Sequence, residues 1–93
     1  MTGRALLGLA VTGLALASAC WRPLPEEGTP AAELYRARCG TSCHRPYHPG
    51  STKFPTWEMI MPRMEQLIAT EQPPPLTPSE RRTILEYLER NSG

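Results

Sequence analysis

Prolines decide where this chain can be helical. Eleven occur in 93 residues. Each lacks a backbone donor and crowds the carbonyl one turn back, so helices start at prolines or stop before them. Pro30 follows Thr29 and Pro78 follows Thr77, the order of an N-cap and a first helical residue. Pro73-Pro74-Pro75 is expected to keep Thr70 to Leu76 out of any helix, and Pro46, Pro49 and Gly50 mark residues 45–53 as a loop. Pro62 falls inside an apolar helical pattern, where it kinks the helix or delays its start.

Three helices fit between these marks. The first runs from the Thr29 cap through Leu34, Tyr35 and Arg38, with Glu33 in the first turn, where a carboxylate suits the helix dipole. The second carries Trp57, Ile60, Met61, Met64, Leu67 and Ile68 at three- and four-residue spacing. The third opens on Thr77-Pro78-Ser79-Glu80, a capping box, and shows one apolar face of Ile84, Leu85, Tyr87 and Leu88 before Asn91-Ser92-Gly93 ends it. With no strand alternation and no internal repeat, the fold class is all-α.

The N-terminal residues 1–19 read as a secretory signal peptide. Arg4 is followed by the apolar run Ala5 to Ala17 and then small residues, a stretch too short to span a membrane. Ala17-Ser18-Ala19-Cys20 can be read two ways: as an Ala-x-Ala site for ordinary signal peptidase, releasing a soluble periplasmic protein with an incidental Cys20, or, the favoured reading, as a lipobox with Cys20 as the lipidated residue. Ordinary cleavage would leave an odd, exposed thiol in an oxidising compartment. Several acyl chains on Cys20 would hold the protein at a membrane surface facing the periplasm or cell exterior. Residues 20–29, with Pro23, Pro25, Glu26, Glu27 and Gly28, read as the lipid anchor and a flexible tether. Residues 30–93 are the folded domain. A domain this small is marginal on its hydrophobic core alone. Lys and Arg number 10 against 9 Asp and Glu, and this near-neutrality argues against a nucleic-acid partner.

Cys39-Gly40-Thr41-Ser42-Cys43-His44 carries the chemistry. Two thiols ending in a Cys-His dipeptide are the arrangement that anchors a c-type haem: the thiols add across the two vinyl groups and the imidazole meets the iron. The usual spacing is two residues and this one has three, of which Gly40, Thr41 and Ser42 are small enough to bulge outward.

The segment from residue 30 to 91 resembles a small monohaem c-type cytochrome. Tyr35 precedes the motif and a capped last helix ends Tyr87-Leu88. The run Cys43-His44-Arg45-Pro46-Tyr47, followed by Trp57 and Met64, also resembles the short haem modules of multihaem and quinohaem proteins. The resemblance implies one covalent haem c held by Cys39 and Cys43, His44 as proximal ligand, and first and last helices packed beside the haem edge. It also implies an electron carrier, not an enzyme, with redox proteins as partners. Many cytochromes of this class place the second axial methionine just before the last helix. Here that place reads Glu71-Gln72-Pro73-Pro74.

The sixth ligand is therefore sought in the middle helix. Met64 is favoured because it stands seven residues after Trp57, on the same face, with Met61 as the alternative and Met59 behind both. Methionines at this spacing also serve as core filler. His48 sits too near His44 in sequence to reach the opposite haem face. Tyr35, Phe54 and Trp57 are expected to pack on the haem, and Arg45 or Lys53 to pair with a propionate or stay solvated. Two other readings stay open. One is a haem-based small-ligand binder with an open sixth site. The other is a non-haem structural lipoprotein, held by a Cys39–Cys43 disulfide or a zinc ion on Cys39, Cys43, His44 and His48.

Overall fold

A computed structural model describes residues 22–40 and 45–93. The signal-peptide residues 1–19, Cys20, Cys43 and His44 lie outside the described residues. Among the described residues three α-helices run in order: α1, Pro30–Cys39; α2, Phe54–Glu71; and α3, Pro78–Asn91, with a short 3-10 turn at Pro49–Ser51 before α2. No strand occurs among the described residues. The fold is all-α.

The helix starts follow local chemistry. The Thr29 hydroxyl accepts from the Ala32 amide at 3.3 Å, satisfying a donor that the first turn leaves orphaned. At α3 the capping box is complete: the Glu80 amide donates to Thr77 Oγ1 at 3.1 Å and the Thr77 amide to Glu80 Oε1 at 3.0 Å. No side chain caps α2, whose N-cap is Lys53.

Pro62 lies inside α2 without ending it or delaying its start. Glu58, whose carbonyl loses its helical partner there, and Pro62 are both exposed, so that carbonyl is open to water. The buried residues Trp57, Met61 and Ile68 hold the helix on either side. Thr70 and Glu71, expected outside any helix, belong to α2. The proline constraint reaches back only one residue, to Gln72, and that residue is the C-cap.

The core joins α1 and α3 through Ala32, Tyr35, Ile84, Tyr87 and Leu88, with Trp57 and Met61 from α2. The Tyr35 and Tyr87 rings meet with centroids 5.2 Å apart and planes tilted by 42°, a favourable aromatic geometry. Arg81 of α3 pairs with Glu65 of α2 at 2.8 Å.

The described part of the expected tether, residues 22–29, packs onto α3. Leu24 is buried in the core. The Tyr87 hydroxyl donates to the Pro25 carbonyl at 3.0 Å. Glu26 accepts two hydrogen bonds from Arg90, at 3.0 and 3.1 Å, and one from Asn91 at 2.5 Å. Glu26 reaches these partners from a left-handed conformation, φ 56°, and Gly28 follows at φ 87°. This segment is anchored because its one large aliphatic side chain joins the core and one of its two carboxylates, Glu26, finds partners on the last helix.

Candidate functional site: an apolar cleft at Cys39

Cys39 is the last residue of α1, and its side chain lines a cleft of about 220 Å³. Tyr35 and Cys39 of α1, Trp57, Ile60, Met61 and Met64 of α2, and Leu88 of α3 form most of the wall, with Tyr47, Ser51 and Thr52 closing the loop side. The three helices converge there because each turns apolar residues inward at helical spacing. Among the described residues, no ionisable acid or base other than the thiol and the two phenols stands in the wall.

Both ends of the motif loop are fixed. A side-chain carbon on Gly40 would lie 2.8 Å from the Arg36 carbonyl oxygen and 3.0 Å from Pro46 Cδ, so the chain leaving α1 and the chain returning at Pro46 pass in close contact. Gly40 is thus required for close approach, where sequence reasoning saw only slack. The Tyr35 hydroxyl donates to the Tyr47 carbonyl at 2.6 Å, a second tie across the loop. Arg38 donates to the carbonyls of Gln72, at 3.4 Å, and Pro74, and Gln72 Nε2 donates to the Gly40 carbonyl at 3.1 Å. These bonds bind the end of α1 to the polyproline turn between α2 and α3.

Met61 and Met64 both line the cleft, in different settings. Met61 is 4% exposed and belongs to the core cluster. Met64 is half-buried and lies outside that cluster. Met59 is 80% exposed and points away. Trp57 is held in the wall by its indole N–H, which donates to the Pro49 carbonyl at 2.9 Å. Phe54, expected on the haem, does not line the cleft; its ring packs against the hydrophobic core at the start of α2.

His48 stands elsewhere. Its Nδ1 accepts from the Gly50 amide at 2.9 Å, and burial, with Arg22 nearby, holds its pKa below the usual value. It lines a separate concavity, so the Cys39 and His48 members of the zinc set face different spaces. Cys39 is a free thiol, and burial pushes its pKa up to about 12. Among the described residues no group of three His, Cys, Asp or Glu could hold a metal ion.

No family model matches the chain, and neither a curated protein nor a solved structure is significantly similar to it. The site is read from its own chemistry. Leu88, Ile60, Ser51 and Thr52 are wall residues that sequence reasoning did not assign. Leu88 and Ile60 carried a signal, since both sit on apolar helical faces. Ser51 and Thr52 carried none.

A haem suits this cleft on chemical grounds. The thiol, two thioethers, an indole and aliphatic walls are the surroundings such a group uses. The volume falls below the ~300–1,000 Å³ of pockets that enclose a drug-sized ligand, and the wall residues Tyr47 and Ile60 are exposed. Among the described residues no helix is long and apolar enough to cross a membrane.

Proposed function

We propose that this chain is an exported, lipid-anchored electron carrier with one covalent c-type haem. The observation that carries the reading is the position of Cys39. Its thiol ends α1 in the wall of an apolar cleft shared with Trp57, Met61 and Met64. Cys39 and Cys43 would hold the haem by thioether bonds, and His44, next in the chain, would be the proximal ligand. When bound, the haem iron supplies one-electron chemistry by alternating between ferrous and ferric states.

The protein's own residues orient and shield. Trp57, fixed by Pro49, and Leu88 give a dry wall, and a dry wall raises the energetic consequence of each ligand's charge. Met64 is the proposed sixth ligand because its thioether is not committed to the core, whereas Met61 fills space among Ile84, Tyr87 and Leu88. A methionine in that place raises the potential relative to a second histidine. The raised pKa of Cys39 counts against a zinc site, which needs thiolates. Lipid on Cys20 would place the domain at an exported membrane surface, with redox proteins as partners.

Intact mass and haem-stained denaturing gels test the reading on protein co-expressed with a haem-attachment system. A gain of one haem that survives denaturation is the expected result. A colourless chain, two hydrogens light or carrying stoichiometric zinc, would overturn it.

A second reading, a small-ligand binder with an open sixth position, is favoured by one feature. The place just before α3, where the resemblance would put an axial methionine, reads Glu71-Gln72-Pro73-Pro74, and Met61 is committed to the core. Rapid reaction of the ferrous protein with carbon monoxide would select this reading.

A further inference from the structure

A second concavity, of about 480 Å³, lies on the other side of Tyr47 from the cleft. Arg22, Arg36, Arg45 and His48 line it together with Leu24 and Pro46, and among the described residues no carboxylate is in its walls. Three arginines from three stretches of chain therefore border one space. Arg36 also meets Glu27 at 3.4 Å and Glu33 at 3.6 Å, but these are long pairs between exposed side chains and leave its charge largely available. Arg22 forms no ion pair with another described residue. It stands close enough to His48 for its charge to be felt there.

The concavity's place in the chain is as informative as its charge. Arg22 is two residues from Cys20, a span of at most about 7 Å of extended chain. Leu24, in its wall, is fixed in the core, so this end of the chain cannot swing the arginines away from the anchor. A diacylglyceryl group on Cys20 would bring this basic recess to the level of lipid headgroups. Guanidinium groups bind phosphate by paired, charge-assisted hydrogen bonds.

We propose that the recess, through Arg22 and Arg36, binds the phosphodiester of an anionic phospholipid, docking the domain in one orientation on the membrane that its lipid anchor enters. This rests on the lipidation of Cys20 in the function proposed above. Tyr47 lines both concavities, so docking through the arginines sets which way the haem cleft faces.

The test uses the protein as exported, in a non-ionic detergent, with arginine side-chain and His48 resonances followed by NMR. Short-chain phosphatidylglycerol, short-chain phosphatidylcholine and inorganic phosphate are added separately. Phosphatidylglycerol is expected to shift these resonances saturably while phosphatidylcholine leaves them in place. Arg22→Gln and Arg36→Gln are each expected to weaken the response about five-fold. Arg22→Gln, a change at an exposed residue, keeps the fold if Arg36→Gln does not. No response to phosphatidylglycerol, or an unchanged response in both variants, would overturn the proposal. So would an equal response to inorganic phosphate, which would make the recess a free-anion site. Intact mass of the same sample reads the modification of Cys20. A chain without lipid that still binds phosphatidylglycerol sinks the anchor and keeps the recess.

Discussion

The hydroxyl of Tyr35 donates to the backbone carbonyl of Tyr47 at 2.6 Å, joining the helix that enters the Cys39–His44 motif to the strand of loop that leaves it. The bond spans the motif like a stitch. Tyr35→Phe removes it while leaving the ring against Tyr87. The expected loss is about 1 kcal/mol, read as a fall in Tm of roughly 4–8 °C for a domain of this size. An unchanged melt would show that water replaces the phenol at the exposed carbonyl without cost.

Gly40→Ala attacks the same closure through sterics. Its new methyl group would stand 2.8 Å from the Arg36 oxygen and 3.0 Å from Pro46. Backbone on one side and a ring on the other cannot step aside cheaply, so the expected cost is about 1–3 kcal/mol. Haem attachment is expected to fall with it, because the close approach of Gly40 and Pro46 on either side of the motif is lost. Thermal melts and haem content of the variant check both halves of the prediction.

The two cleft methionines are expected to separate. Met61→Ala empties a core position and costs about 2–5 kcal/mol, with the ligand-sensitive spectrum of surviving protein unchanged. Met64→Ala costs about 1–2 kcal/mol, in proportion to its smaller burial, and changes that spectrum. Paired urea titrations and absorption spectra decide it. The reverse pattern would make Met61 the ligand.

Alkaline pH should tell attached from unattached chains. Burial raises Cys39 from 9.0 to about 12 and, as the main cause, Tyr87 from 10.0 to about 12. A folded-state pKa above the unfolded value means that the unfolded chain releases its protons first. Stability from these groups is therefore whole below about pH 9 and declines as pH climbs toward 12. A thioether at Cys39 has no proton to release, so the decline should begin only near pH 10, with Tyr87. Melts between pH 7 and 12 on haem-bearing and haem-free protein measure the difference. Coincident curves would contradict either the burial of the thiol or its attachment.

What could be read in advance was local. Thr29-Pro30 and Thr77-Pro78-Ser79-Glu80 specify their helix starts within one turn, so no distant contact was needed to see them. Pro62 left two outcomes open because the deciding fact is tertiary: Trp57, Met61 and Ile68 are buried around it. The packing of residues 22–29 was hidden for the same reason. Glu26 finds Arg90 across most of the folded chain, and a proline-rich stretch looks like a tether until its partners are known. In the site, Cys39, Tyr35, Trp57, Met61 and Met64 stood out by residue type and spacing. Tyr47 entered through its main-chain oxygen, which no side-chain pattern reveals.

Trp57 has an optical consequence. Its indole is pinned to Pro49 and forms part of the cleft wall, so its fluorescence is emitted beside whatever fills that space. A chromophore absorbing near the indole emission band will darken it, and an empty cleft will leave it bright. The other tryptophan, Trp21, precedes the described residues, and replacing it with phenylalanine leaves a single emitter. The unlabelled protein then carries its own gauge of cleft occupancy, one that can be followed in real time as the chain matures.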